Sequence, residues 1–103
     1  MTTAHHNILL KRDRIRYSVG ADRTAAIRDL CSLNADTDCW RWVSTRNAGG
    51  MPSMRVDGRI MDMPIVSFTA CHGPLPEGAV ISRTCNMSGC LNPEHYHLSP
   101  NQA

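Results

Sequence analysis

The chain has 103 residues, a formal net charge of +2, five Cys, five His and few large core-formers: two Trp, two Tyr and one Phe. A chain this short buries a small share of its surface, so extra staples become attractive. No apolar run approaches the roughly 18–20 residues of a membrane span, and an odd cysteine count without a basic-then-apolar leader sets the expectation of a reducing, cytoplasmic compartment, with no disulfide framework.

In chain order, residues 1–7 read as a loose terminus and residues 8–17 as a basic segment compatible with helix or strand. Gly20 breaks it, and Asp22 is placed to cap a helix over 23–33 with Ala26, Ile27, Leu30 and Cys31 on one face. Residues 34–38 form a polar turn, after which short strands are expected. Residues 39–43 alternate, and Asn47-Ala48-Gly49-Gly50 is a loop. Asp57-Gly58 between residues 53–56 and 59–61 is a strong two-residue hairpin signal. Pro64 suits the first turn of a helix ended by Gly73. Residues 73–78 make a rigid loop into a strand at 79–82, Asn92-Pro93-Glu94-His95 a tight turn or single helical turn, and 96–98 a last strand.

The densest chemistry lies in residues 83–97. Cys85 and Cys90 stand five apart and His95 follows five later. Zinc takes four N or S ligands at tetrahedral corners, and two thiolates on a glycine-containing knuckle supply two of them. Gly89 frees the backbone to fold round an ion, and Asn92-Pro93 turns His95 back towards it. For the fourth ligand Cys39 is the choice, since a donor from a distant strand stitches two halves together. His97 is the local competitor and Cys31 and Cys71 are weaker ones, both expected as small buried hydrophobes on helix faces. A closed four-ligand site stabilises folding and does no chemistry.

With these residues in hand, residues 38–100 resemble the zinc-bound HNH (His-Me finger, ββα-metal) endonucleases of phage and homing-endonuclease type. The resemblance rests on Cys39-Trp40-Arg41-Trp42, the hairpin and helix that follow, Gly73-Pro74-Leu75-Pro76-Glu77-Gly78, and the terminal signature matched by Cys85, Cys90, Asn92, Pro93 and His95. It implies an α+β, zinc-stapled domain with short antiparallel strands and a few short helices. It also implies one structural zinc per chain on Cys39, Cys85, Cys90 and His95. The HNH-like part then spans 38–103, truncated at its C-terminus, behind an N-terminal basic segment and helix at 1–37.

The catalytic part of that resemblance is degenerate. The family's general base is a His two residues before the first knuckle Cys; this chain has Arg83, which stays protonated and takes no proton. The family's magnesium-ligating Asn or His belongs to a helix that would begin where residues 99–103 stand. Its frequent Ala-His-Arg before the middle helix is Met63-Pro64-Ile65 here. The expectation is a phage-encoded, non-catalytic module. It grips nucleic acid through Arg83, Arg41, Arg46, Arg55 and Arg59, or binds and inhibits a host or defence protein, with Met51, Met54, Met61, Met63 and Met87 as an adaptable face. Self-association as a dimer is equally open, and no membrane partner is expected. The alternative is a metal-dependent DNA endonuclease whose base has moved to His97. Every basic residue but Lys11 is arginine, whose planar fork suits phosphate or carboxylate; the codon bias of a GC-rich genome explains this equally well.

Overall fold

Three antiparallel hairpins and the helices between them make up residues 12–99, the part of the chain that the computed structural model describes. The expected loose terminus at 1–7 and the tail from Pro100 lie outside the described residues. Residues 12–16 are helical, which decides the described part of the segment left open between helix and strand; its residues 8–11 lie outside the described residues. Ile15 is fully buried. The Arg23 guanidinium closes the end of this segment, donating to the Ile15 and Arg16 carbonyls at 2.9 and 3.2 Å.

Helix α1, Gly20–Asp29, differs at both ends from the expected 23–33. Its N-cap is Val19, with no side-chain cap, and Asp22 lies in the first turn, where a carboxylate suits the helix dipole. Leu30 leaves the helical region, and Cys31–Leu33 becomes strand β1, paired antiparallel with β2, Trp40–Trp42. Strand pairing satisfies the backbone of 31–33 and overrides the helical spacing of the side chains. Cys31 therefore sits on a strand, not on the helix face expected for it. The turn between β1 and β2 is built by Asn34, whose Oδ1 accepts from the Asp36 and Thr37 amides at 2.9 and 3.2 Å. The boundary expected between 37 and 38 falls inside this turn.

Strands β3, Ser53–Val56, and β4, Arg59–Asp62, form the expected hairpin. Asp57 and Gly58 have φ of 52° and 80°, the left-handed pair that a type I′ turn requires. Helix α2, Met63–His72, follows at once, with Pro64 in its first turn and Gly73 (φ 90°) at its C-cap. Strand β5, Val80–Arg83, pairs with β6, Tyr96–Ser99, and a 3₁₀ turn at Pro93–His95 precedes β6.

One core joins all of this. Ile15, Ala26, Ile27 and Leu30 pack with Trp42, Met54, Val56, Met63, Val66 and Leu91. The residues on either side of the expected 37/38 boundary thus share their apolar interior. Met54 and Met63 lie within this core, and Met51, Met61 and Met87 are half-buried, so these methionines serve mainly as filler in a chain short of Phe and Leu. Among the described residues no helix is long and apolar enough to cross a membrane.

Candidate metal centre

Cys39 precedes β2, Cys85 and Cys90 sit in the loop after β5, and His95 ends the 3₁₀ turn. Backbone and amide bonds bring the two regions together. The Leu91 amide donates to the Trp40 carbonyl at 2.9 Å. Asn92 Nδ2 donates to the carbonyl of Asp38 at 2.7 Å, while its Oδ1 caps the 3₁₀ turn by accepting from the Glu94 amide at 3.0 Å. Asp38 itself takes the left-handed conformation, φ 58°, which Asp tolerates better than most residues. The Thr84 amide donates to the His95 carbonyl at 2.8 Å and closes the loop.

Gly89 has a double reason to be glycine. Its φ is +79°, and a Cβ there would stand 2.9 Å from Pro52 Cδ, so the knuckle lies directly on the β3 end of the neighbouring hairpin.

The donor atoms of Cys39, Cys85, Cys90 and His95 all lie within 4.8 Å of one another. His95 presents Nδ1, at 3.6 Å from Cys39 Sγ and 3.4 Å from Cys90 Sγ. In a tetrahedral zinc site, Zn–S bonds of about 2.3 Å and Zn–N bonds of about 2.0 Å put sulfur and nitrogen about 3.5 Å apart. The two observed edges match that value. Three thiols and one imidazole are a soft donor set suited to zinc and poorly suited to magnesium or calcium. The cluster can hold a metal ion, and all five cysteines are free thiols.

The surroundings set the thiols apart. Burial raises the Cys85 pKa, but hydrogen bonds with the Met87 backbone and the Cys39, Arg83 and His95 side chains outweigh it and bring the thiol to about 7. Burial dominates at Cys90 and pushes it up to about 11, against backbone bonds at Trp40 and Asn92 that lower it. Tyr96 is raised to about 12, by burial first and then by the neighbouring Cys90. Its phenol stays neutral and donates to the Cys90 carbonyl at 2.8 Å, bracing the knuckle from behind. The spacing of the ligands gave no hint of this brace, which comes from the register that sets Tyr96 opposite Arg83.

The competitors for the fourth ligand lie elsewhere. Burial pushes the Cys31 thiol up to about 12, and it donates to the Ile27 carbonyl at 3.2 Å. Cys71 is exposed at the end of α2, contrary to the buried role expected of it, because the last turn of that helix projects past the core. His97 is exposed opposite Ser82, so it points to the other face of the hairpin from Arg83 and Tyr96.

Beside the knuckle is a depression of about 240 Å³ lined by Asp62, Pro64, Ile65, Ile81, Arg83 and Tyr96, among others. Among the described residues lining it, only Asp62 and Arg83 carry charge, and none is histidine. Arg83 is exposed and donates through Nη1 to the Cys85 carbonyl. Arg59 borders an adjoining depression that shares Asp62 and Ile65 with the first. Arg41, Arg46 and Arg55 line neither depression, although the Arg46 guanidinium lies close to Gly89. Arg46 ties the Trp42 and Gly50 carbonyls at 2.9 and 3.0 Å, and Arg55 closes its own hairpin on the Gly58 carbonyl at 2.9 Å. Arg41 is exposed on β2, a strand that borders neither depression.

Comparison with protein-family models, curated proteins and solved structures gives no match to this chain.

Proposed function

We propose that this chain is a non-catalytic, zinc-stapled, HNH-like module, phage-encoded and cytoplasmic, that binds the phosphate backbone of nucleic acid. The HNH likeness draws support from the order of parts: Cys39 before a Trp-x-Trp strand, a hairpin, a helix, a Gly-Pro loop, and a knuckle between two paired strands. Zinc, when bound by Cys39, Cys85, Cys90 and His95, supplies a closed four-ligand staple with no open position for a substrate.

The observation that carries the functional reading is Arg83. It stands where the resembled family places its general base, exposed, in the lining of a depression it shares with Pro64, Ile65 and Ile81. A guanidinium there attracts phosphate oxygens and accepts no proton. Arg59, across Ile65 and Asp62, adds a second fixed charge within reach of the same backbone. Contacts of this kind position a nucleic acid without reading its sequence and weaken steeply with salt. A host or defence protein is the second reading, favoured by Ile60, which is 68% exposed beside Arg59.

Gel-shift titrations of the zinc-loaded chain with duplex DNA, run alongside plasmid cleavage with magnesium or manganese, test the proposal. The expected result is salt-dependent binding without cleavage. No affinity at moderate salt, with a host protein co-purifying, favours the second reading. Cleavage abolished by His97→Ala establishes the nuclease instead.

A further inference from the structure

A second group of metal-binding side chains lies outside the knuckle. Cys71 and His72 close helix α2, and Glu94 reaches them from the 3₁₀ turn. Neighbouring residues on a helix point about 100° apart, which argues against a shared ligand. Here they converge, because Glu94 bridges between them. Its Oε1 lies 3.7 Å from His72 Nε2 and 3.9 Å from Cys71 Sγ, and the three donor atoms fall within 4.8 Å of one another. The first is a loose ion pair when His72 is protonated and the second a long sulfur hydrogen bond, so the three groups already attract one another without an ion. Each separation is about 0.4 Å longer than the edge of a tetrahedral site, about 3.3 Å between N and O and about 3.5 Å between S and O, a gap that small side-chain rotations at an exposed site close.

Two further features suit a cation at this point. The negative end of the α2 dipole falls on Cys71 and His72. The Phe68 ring lies against the His72 imidazole, centroids 4.5 Å apart, and restricts its rotation.

We infer that Cys71, His72 and Glu94 form a second, exposed site for a borderline-soft divalent transition metal such as zinc or cobalt. One thiolate, one imidazole and one carboxylate leave a fourth position for water, so this site is open where the knuckle is closed. Thiolate and imidazole ligands exclude magnesium and calcium as its occupants. Glu94 and His95 are consecutive, so one short turn serves both sites, and an ion at the second fastens the end of α2 to the turn that carries a ligand of the first.

Cobalt titration of the full chain already holding one equivalent of zinc tests this, with visible absorption following cobalt and a chromogenic chelator following released zinc. The expected result is uptake of one further equivalent with a thiolate-to-cobalt charge-transfer band and no zinc release. Glu94→Gln and His72→Ala should each weaken cobalt binding about tenfold or more. Cys71→Ser should remove the charge-transfer band. Magnesium at the same concentration should not compete. All three residues are exposed, so the variants should keep the zinc and the melting temperature of the parent. Cobalt uptake matched by zinc release, equal affinity in all the variants, or competition by magnesium overturns the inference.

Discussion

The knuckle and the depression beside it share the β5–β6 pair and its connecting loop, Cys39 completing the one and Asp62, Pro64 and Ile65 the other, and they differ in the side chains that decide function. In the knuckle, three thiols and an imidazole converge from two distant stretches of chain, held by the Leu91–Trp40 and Asn92–Asp38 bonds. Two residues before Cys85, Arg83 lines the depression with Pro64, Ile65 and Ile81, and Asp62 is the other charged group there. One region is a four-membered donor set and the other a mostly apolar lining with one guanidinium and one carboxylate. The contrast teaches that a metal staple and a chemically active cleft are separable demands on one scaffold: the first needs converging ligands, the second a group that can exchange a proton near neutral pH.

The largest effect expected is on the knuckle. Structural zinc contributes about 10–16 kcal/mol of apparent binding energy in small zinc domains, comparable with or larger than the total stability of such a chain. Cys90→Ala should therefore leave the chain largely unfolded by circular dichroism even with zinc present. A variant that melts with the parent would erase the distinction between the two regions.

Next in size is Gly89→Ala, which places a Cβ 2.9 Å from Pro52 on a backbone with φ of +79°. A loss of about 2 kcal/mol or more in denaturant unfolding is expected. Tyr96→Phe removes the hydroxyl that donates to the Cys90 carbonyl, and about 1 kcal/mol should go with it.

The pH dependence of metal uptake has a definite sign. Cys90, raised to about 11, is a thiol at neutral pH and must lose its proton to bind an ion. Metal binding should release protons, and affinity measured by competition should rise between pH 6 and 8, by about tenfold per pH unit for each proton released.

The smallest effect on stability is expected in the depression. Arg83→Gln, which removes an exposed donor to the Cys85 carbonyl, should cost about 1 kcal/mol or less, while lowering the slope of log affinity against log salt for DNA by about one. A stability loss equal to that of the knuckle variants would mean that the two regions are not separable after all.

Much of this was legible in the residues. The Asp57-Gly58 turn, Pro64 and Gly73 at the ends of α2, and the single turn after Asn92 are local signals, because glycine, proline and asparagine act through their own backbone preferences. The convergence of Cys85, Cys90 and His95 was legible in their short-range spacing, whereas the choice of Cys39 over His97, Cys31 and Cys71 rests on a cross-link from a distant strand and on the family resemblance; the four donors do come together. What was not legible depended on pairing across the chain. Residues 31–33 have helical spacing but bond to β2, so the end of α1 was invisible until its partner strand was in place. The meeting of Cys71, His72 and Glu94 depends on how α2 packs against the 3₁₀ turn, which no motif announces. The engagement of Arg46 and Arg55 with backbone carbonyls, which leaves them outside the lining of the depression, is likewise a matter of loop and hairpin conformation.

The zinc-edge X-ray absorption spectrum of the chain holding one equivalent of zinc tests the central claim most directly. Three sulfur neighbours at about 2.3 Å and one nitrogen at about 2.0 Å are predicted. A shell of oxygen and nitrogen alone, or of four sulfurs, would contradict the assignment of Cys39, Cys85, Cys90 and His95 as the staple.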